Sequence, residues 1–288
     1  MPPLMFASVN IVDKFLVHGS EEDSKPGALL AITGLFNLIA ASLVGAWLIH
    51  SGQSIELSLL VPLMLNGIVY VSAMWIYLHV MREEDASRVI PWFQTIPVFG
   101  MIGAFIVLQE LPKWYEMGAI GLLVIGGFVL SVKNGVAKRK VALLMVVASG
   151  LVAANDVIFA EFGRQADGAP AIFADMLGKS VFALVFLAHG PSRRGFKKGL
   201  RTKFGVQSGS ELVNIGADMF LDLAKLYMPI ALVQAACATQ PLFVLIGATF
   251  IAKFSKKFSE ELEGNQTMKV AGVLLMVVGG AILAASTA

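Results

Sequence analysis

The chain has 288 residues, of which 57% are hydrophobic and only 15% are charged, and its mean hydropathy is +0.76. Soluble proteins carry about 25% charged residues, so the composition excludes an ordinary soluble domain and predicts a membrane protein. A net charge of +2 is too small to indicate nucleic-acid binding, and a single cysteine excludes an internal disulfide.

Ten apolar segments are long enough to cross a bilayer as helices, which takes about 20 residues. In chain order they are 3–19, 26–50, 57–80, 86–108, 114–132, 141–162, 170–189, 209–228, 229–252 and 268–286. Most connections are short and polar, but PSRRGFKKGLRTKFG is long and basic. The first segment is the least typical, because it is short and contains Asp13 and Lys14. The start MPPLMFASVNIVDK lacks the basic region and the cleavage site of a signal peptide.

The sequence contains an internal repeat. Residues separated by 144 positions match in four places, which are Pro26 and Pro170, Gly34 and Gly178, Pro97 and Pro241, and Gly103 and Gly247. The chain therefore divides into halves of five segments, 1–132 and 141–288, joined by a linker at 133–140. An odd number of spans inverts the second half in the membrane, which is a plan of secondary transporters. The repeat offset also predicts that the first segment lacks about one or two turns found in the sixth.

The chain resembles the drug/metabolite transporter superfamily in its ten-helix EamA form. The stretches that carry the resemblance are ASRVIPWFQTIPVFGMIGAFIVLQELPKWYEMGAIGLLVIGGFVL, PIALVQAACATQPLFVLIGATF and KVAGVLLMVVGGAIL. The family's order of proline, apolar run, glutamate and glycine-bearing helix is met by Pro97, Glu110, Gly118 and Gly126. The resemblance implies an all-α membrane protein with ten transmembrane helices in two inverted five-helix repeats around a central cavity. It also implies a carrier of small metabolites.

The eighth segment carries a stripe of polar residues in ELVNIGADMFLDLAKLY. Glu211, Asn214, Asp218, Asp222 and Lys225 follow one another at spacings of 3, 4, 4 and 3. On a helix they occupy an arc of roughly 80°. Such a stripe is costly against lipid, so we expect it to face the interior. Two interpretations stay open, a polar crevice without a substrate role and a site for substrate or proton coupling.

Polar residues also occur in the sixth and seventh segments. Asp175 and Lys179 are spaced i, i+4 and can pair on one helix face, either as an internal salt bridge or as ligands. Asp156 is expected to line the cavity. Its neighbour Asn155 is expected to make a packing hydrogen bond.

Pro97 and Pro241 are predicted to interrupt the fourth and ninth segments at matching places. Interrupted helices in matching places of two inverted halves indicate the binding region. We therefore expect Gln94 and Gln240, which lie within one turn of these prolines, to line the cavity. The alternative is a simple kink whose free carbonyl is satisfied by the hydroxyl of Thr95 or its counterpart.

Tyr70, Trp75 and Trp92 are expected to give the cavity an apolar wall, or else to lie at the membrane interface. Glycines of the fifth and tenth segments are expected to let these helices pack closely. Glu110 is expected to have an architectural role at the end of the fourth segment.

No catalytic set, metal-ligand spacing or Walker-type phosphate loop is found in the sequence. We therefore predict that the protein is not an enzyme and uses no cofactor. Its expected partners are the lipid bilayer, a small metabolite and a proton.

The positions of the polar residues favour a proton-coupled secondary transporter for a small polar or amphipathic metabolite, such as an amino acid. Asp218 and Asp222 lie one turn apart in a poorly solvated place, so either is suited to bind a proton. Two alternatives are a sensor or subunit that does not transport, and a flippase for lipid-linked sugars.

The two ways of assigning orientation in the cell membrane disagree. The connections after the odd-numbered segments hold 16 Lys and Arg, whereas the opposite connections hold two, Lys113 and Arg164. The positive-inside rule therefore places both termini outside. The family resemblance implies that both termini are inside. We favour the charge rule.

Overall fold

The protein is described by a computed structural model over residues 1–17, 25–84, 89–131, 139–166, 168–202, 204–252 and 266–287. Every regular element in these ranges is helical. The α-helices are α1 (Pro2–Val17), α2 (Pro26–Ser51), α3 (Leu57–Glu83), α4 (Ile96–Gly103), α5 (Trp114–Ser131), α6 (Arg139–Ala166), α7 (Gly168–Leu184), α8 (Gly190–Thr202), α9 (Phe204–Tyr227), α10 (Ile230–Cys237), α11 (Gln240–Ala252) and α12 (Gln266–Thr287). A 3-10 helix (Ile90–Thr95) precedes α4, a π-helix (Ala104–Leu108) follows it, and a 3-10 helix (Val185–Ala188) follows α7.

The helices follow most of the predicted segments, with three differences. The fourth segment is divided between Ile90–Thr95, α4 and Ala104–Leu108, and the ninth is divided into α10 and α11. The long basic connection is itself largely helical, as α8. The linker predicted at 133–140 lies outside the described residues up to position 138, and its last two residues begin α6.

Among the described helices, four are long and apolar enough to cross a membrane, and they are Pro26–Ser51, Leu57–Glu83, Arg139–Ala166 and Gly168–Ala188. Shorter apolar helices cover Trp92–Leu108, Trp114–Val129, Ile230–Ile246 and Thr267–Leu283. Large apolar side chains such as Leu43, Ile106 and Leu274 are exposed on the outside of the bundle. This surface suits lipid rather than water. The count of ten spans stays a prediction.

Several helix pairs correspond to each other when the two halves are exchanged. α2 packs on α7 and α5 packs on α12, and each of these pairs consists of a helix and its predicted repeat partner. α1 packs on α9 as α3 packs on α6, and exchanging the halves converts one pair into the other. This pairing supports the two-half interpretation, whereas the inverted orientation stays a prediction.

Glycines bring two pairs of helices very close to each other. A Cβ atom on Gly126 would lie 2.8 Å from the carbonyl oxygen of Gly272, and one on Gly279 would lie 2.8 Å from that of Ala119. These glycines bring α5 and α12 together, as the sequence predicts. Between α3 and α7, a Cβ atom on Gly178 would lie 2.2 Å from the carbonyl oxygen of Met64.

Gly178→Ala should destabilise the protein by about 1–3 kcal/mol, because the added methyl group would push the backbones of α3 and α7 apart. Thermal melting in detergent measures the effect. Gly150→Ala is the matched control, since a Cβ atom there meets nothing within 4 Å. Equal melting temperatures for the two variants would show that the close approach of α3 and α7 does not matter.

Candidate functional site

A cavity of about 210 Å³ lies between helices of the two predicted halves. It is lined from α1, α2, α3, α4, α6, α7, α9, α10 and α11 and from the residues just before α4 and α11. The predicted site residues among its lining are Tyr70, Gln94, Pro97, Asp156, Lys179, Glu211, Asn214, Asp218 and Gln240. Of the other predicted residues, Asp175 and Asp222 are buried beside the lining lysines, and Pro241 does not line the cavity.

The polar stripe of α9 turns inward. Glu211, Asn214, Asp218 and Lys225 line the cavity, and Asp222 is buried and bonded to Lys225. The spacing places all five groups on one face of the helix. Because charged groups are costly in contact with lipid, that face turns toward the interior of the bundle. Sequence reasoning missed one further member of the same face. Gln207 lines the cavity and lies four residues before Glu211, so it extends the stripe by one turn.

The first ionic group, here called the Lys179 cluster, joins α7, α9 and α3. The ammonium nitrogen of Lys179 lies 2.7 Å from Oδ2 of Asp175 and 3.6 Å from Oδ2 of Asp218. It also lies 4.5 Å from the centre of the Tyr70 ring, which is a cation–π distance. Asp175 therefore holds Lys179 tightly within α7, as one of the two sequence interpretations has it, whereas Asp218 holds it loosely.

The second ionic group, the Lys225 cluster, joins α9, α6 and α10. The ammonium nitrogen of Lys225 lies 2.7 Å from Oδ1 of Asp156 and 2.8 Å from Oδ1 of Asp222. The side-chain amide of Gln234 donates a hydrogen bond of 2.9 Å to Oδ2 of Asp156. Gln234 lies flat against Gly100, where a Cβ atom would be 1.4 Å from its Oε1. Sequence reasoning missed Gln234, although it is an amide within the apolar run PIALVQAAC.

Carboxylates outnumber cations in this part of the protein. Within the described residues, the carboxylates that line the cavity or pair beside it belong to Asp13, Asp156, Asp175, Glu211, Asp218 and Asp222, whereas the ammonium groups belong to Lys179 and Lys225. Ionised groups that are buried without a partner are costly. Among the described residues the carboxylates therefore exceed the cations, and protons or a cationic ligand would supply the compensating positive charge.

The first half of the chain contributes polar groups to the cavity as well as apolar ones. Asn10 and Asp13 of α1 line the cavity. Thr33 of α2 donates a hydrogen bond of 2.7 Å from its hydroxyl to Oε1 of Glu211. The sequence showed Asp13 as a charge inside an apolar segment, but it gave no signal for Thr33.

Two of the three aromatic residues expected in the wall lie elsewhere. Trp75 is 41% exposed and stacks on His79, with ring centres 5.1 Å apart. Trp92 packs edge to face on Phe128 of α5. Only Tyr70 of these three lines the cavity, because it faces Lys179 across the gap between α3 and α7.

Pro97 and Pro241 begin new helices rather than kinking continuous ones. Each is the second residue of its helix, α4 or α11, where its missing N–H breaks no helical hydrogen bond. Thr95 donates its hydroxyl to the carbonyl of Trp92 at 2.6 Å, and Thr239 donates to that of Ala236 at 2.7 Å. The two donors, Thr95 and Thr239, are 144 positions apart, and so are the two acceptors, Trp92 and Ala236. The same hydroxyl-to-carbonyl bond therefore occurs in both halves.

Asn155 makes the packing hydrogen bond that the sequence predicts. Its side-chain nitrogen donates to the carbonyl of Asn66 at 3.4 Å, and the side-chain nitrogen of Asn66 donates to the carbonyl of Asn155 at 3.0 Å. This reciprocal pair joins α3 to α6. It fixes the part of α6 that presents Asp156 to the cavity.

One end of the bundle is held by Glu110 and Arg164. Their side chains form an ion pair, and Oε2 of Glu110 also accepts a hydrogen bond of 3.0 Å from the backbone N–H of Ile230. Arg164 donates to the carbonyls of Lys225 at 3.0 Å and Met228 at 2.8 Å. Glu110 thus connects the first half to α6, α9 and α10, in the architectural role expected of it.

The cavity extends toward the opposite end. Its lining includes Leu16 near the end of α1, Leu29 near the start of α2, Leu78 near the end of α3 and Gln207 near the start of α9. These residues lie next to the connections that carry most of the basic residues. The lining of the cavity therefore reaches the basic end of the bundle and does not include Glu110 or Arg164 at the other end.

Comparison with known proteins identifies the first half. Residues 4–132 match the sequence model of the EamA-like transporter family. No curated protein matches the chain. Solved structures do match, and 27 of their chains are similar to this one. One of them is a crystal structure described only as that of a protein, and the match covers 97% of this chain and 94% of that chain. Its TM-score is 0.66 and its sequence identity is 12%, so the likeness concerns the fold alone.

The match of residues 4–132 and the apolar helices agree with what the sequence predicts. The resemblance to the drug/metabolite transporter superfamily is thereby confirmed for the first half of the chain, which matches the EamA-like transporter family, and the apolar helices indicate a multi-pass membrane protein.

Proposed function

We propose that the protein is a secondary transporter of the cell membrane that exchanges a small amine-bearing metabolite for protons by alternating access. The observation that carries this proposal is the excess of carboxylates over ammonium groups around one buried cavity. Such an excess at membrane depth needs compensating positive charge. Either a substrate amine or a proton can supply that charge. Because one replaces the other in the site, movement of the substrate in one direction is coupled to movement of protons in the other.

Asp218 is the residue best placed for this exchange. It lines the cavity, and its contact with Lys179 is 3.6 Å, longer than the 2.7 Å between Lys179 and Asp175. Lys179 therefore keeps a partner when Asp218 turns to a substrate amine or takes a proton. Asp222 is less suited, because Lys225 holds it at 2.8 Å outside the lining of the cavity.

The size and wall of the cavity favour a single small metabolite. A volume of about 210 Å³ holds on the order of ten water molecules, which suits an amino acid better than a lipid-linked sugar. Leu30, Met74 and Leu78 give it apolar surface, and Gln94 and Gln240 give it neutral hydrogen-bonding groups. This mixture suits an amphipathic or zwitterionic compound.

Alternating access is supported by the unequal ends of the bundle. The contacts of Glu110 and Arg164 join both halves at one end, whereas the cavity extends toward the other. Transport would require these contacts to open while the helices at the basic end approach each other. The paired halves of the repeat offer two similar arrangements of helices for this exchange.

A metabolite screen in proteoliposomes tests the proposal. The full-length protein is reconstituted, a pH gradient of either sign is imposed, and the uptake of labelled amino acids and related amines is compared with protein-free liposomes. At least one compound should accumulate faster when protons can leave in exchange. Failure to move any compound under any gradient would favour a sensor or subunit that does not transport.

Thiol labelling tests the orientation. In a Cys237→Ser background, Arg194→Cys lies in the exposed part of α8 and should resist a membrane-impermeant thiol reagent on intact cells, because the basic connections are expected in the cytoplasm. Lys113→Cys, on the opposite side, should react quickly. The reverse result would establish the orientation implied by the family resemblance, with both termini inside.

A further inference from the structure

α8 is a helix that the fold does not need for crossing the membrane. It comprises GPSRRGFKKGLRT, between the 3-10 turn after α7 and the start of α9. Its exposed face carries the cationic residues, which are Arg193, Arg194, Lys197, Lys198 and Arg201. On a helix these positions cover an arc of roughly 140°.

The opposite face of α8 consists of small residues and packs against the bundle. Ser192, Gly195 and Gly199 are buried. A Cβ atom on Gly27, in the first turn of α2, would lie 2.6 Å from the Ser192 hydroxyl, and one on Gly199 would lie 3.1 Å from Ile32. Rotation of α8 would break this tight contact with α2. The cationic face therefore stays on the outside of the bundle.

The neighbouring residues place α8 at the edge of the hydrocarbon layer. Val185, five residues before α8, is 61% exposed, and Phe204 and Val206, just after it, are 54% and 57% exposed. Apolar side chains exposed at both flanks suit contact with acyl chains. This arrangement would place the cations between them at the depth of the lipid headgroups.

We propose that the cationic face of α8 binds the headgroups of anionic phospholipids. A basic face attracts anionic lipid by about 1 kcal/mol per Lys or Arg near the surface. The lipid would act on the site through α9, since a single residue separates the two helices. Gln207, which lines the cavity, reaches back to α8, where a Cβ atom on Gly199 would lie 3.2 Å from its Oε1.

Lipid titration of the full-length protein in detergent tests this proposal without any transport assay. The amounts of phosphatidylglycerol and phosphatidylcholine that stay bound are measured by native mass spectrometry. Wild type should retain phosphatidylglycerol in preference, and Lys197→Gln/Lys198→Gln should weaken that binding about 30-fold. Arg139→Gln/Lys140→Gln is the matched control, because it removes two exposed cations at the start of α6, on the same side. The control should bind like wild type.

Three results would overturn the proposal. Equal retention of the two lipids would show that the face does not select charge. Equal losses in the two double variants would show a general effect of surface charge rather than a site on α8. Displacement of the lipid by the same concentration of soluble glycerol phosphate would show a phosphate site that does not depend on a membrane surface.

Discussion

Asp218→Asn should abolish proton-driven transport while leaving the fold nearly intact. The substitution keeps the size of the side chain, and it removes both the charge that would bind a substrate amine and the group that would take a proton. Lys179 retains Asp175 at 2.7 Å, so no buried ammonium group is left alone. Loss of the charged partner of a buried pair costs about 2–5 kcal/mol, so apparent affinity for an amine substrate should fall roughly 30-fold or more.

The measurement is uptake in proteoliposomes over a range of pH, with melting temperature as a check on folding. Exchange of substrate for substrate needs no net proton movement and is the activity expected to survive best. Glu161→Gln is the control, because it makes the same acid-to-amide change on α6 away from the cavity lining. Unchanged pH dependence in Asp218→Asn would show that the polar stripe is structural or that Asp222 carries the proton.

Lys225→Met should destabilise the folded protein more than any other single change considered for this site. Lys225 is the shared partner of Asp156 and Asp222, at 2.7 and 2.8 Å, and all three side chains are buried. Removing one partner of a buried ion pair costs about 3–5 kcal/mol, which is a large part of a typical folding free energy of about 5–15 kcal/mol. The melting temperature in detergent should fall by roughly 10 °C.

Neutralising the carboxylates that Lys225→Met leaves unpaired should restore much of the lost stability. The variant that adds Asp156→Asn and Asp222→Asn to Lys225→Met contains no unpaired charge in the Lys225 cluster, so it should melt above the single variant. Lys113→Met, at an exposed position outside the bundle, is the control and should melt like wild type. A single variant as stable as wild type would show that the Lys225 cluster does not hold α6 to α9.

The sequence predicted that the polar stripe faces the interior, because this prediction depends only on the spacing of residues within one helix. Five polar residues at helical spacing share a face whatever the rest of the fold, and lipid is the one neighbour such a face avoids. The pair of Asp175 and Lys179 is local for the same reason, being one turn apart on α7. The repeat at 144 positions likewise located the matching breaks near Pro97 and Pro241.

Contacts between helices could not be predicted in this way. That Lys225 pairs with Asp156 of α6, and that Thr33 of α2 bonds to Glu211, depends on how far each helix is rotated and shifted against its neighbour. Spacing along one helix contains no such information. For the same reason the apolar wall was assigned too widely, since Trp75 and Trp92 share an apolar sequence context with Tyr70 but point elsewhere.

Lumenal pH in proteoliposomes tests proton exchange, the central claim, most directly. Liposomes that contain the wild-type protein and a trapped pH-sensitive dye are given an amine-bearing substrate from outside, with no initial pH gradient. Entry of the substrate in exchange for protons should raise the lumenal pH, and Asp218→Asn liposomes should show no such rise. Uptake of labelled substrate without any change in lumenal pH, or the same rise in the Asp218→Asn liposomes, would contradict the account.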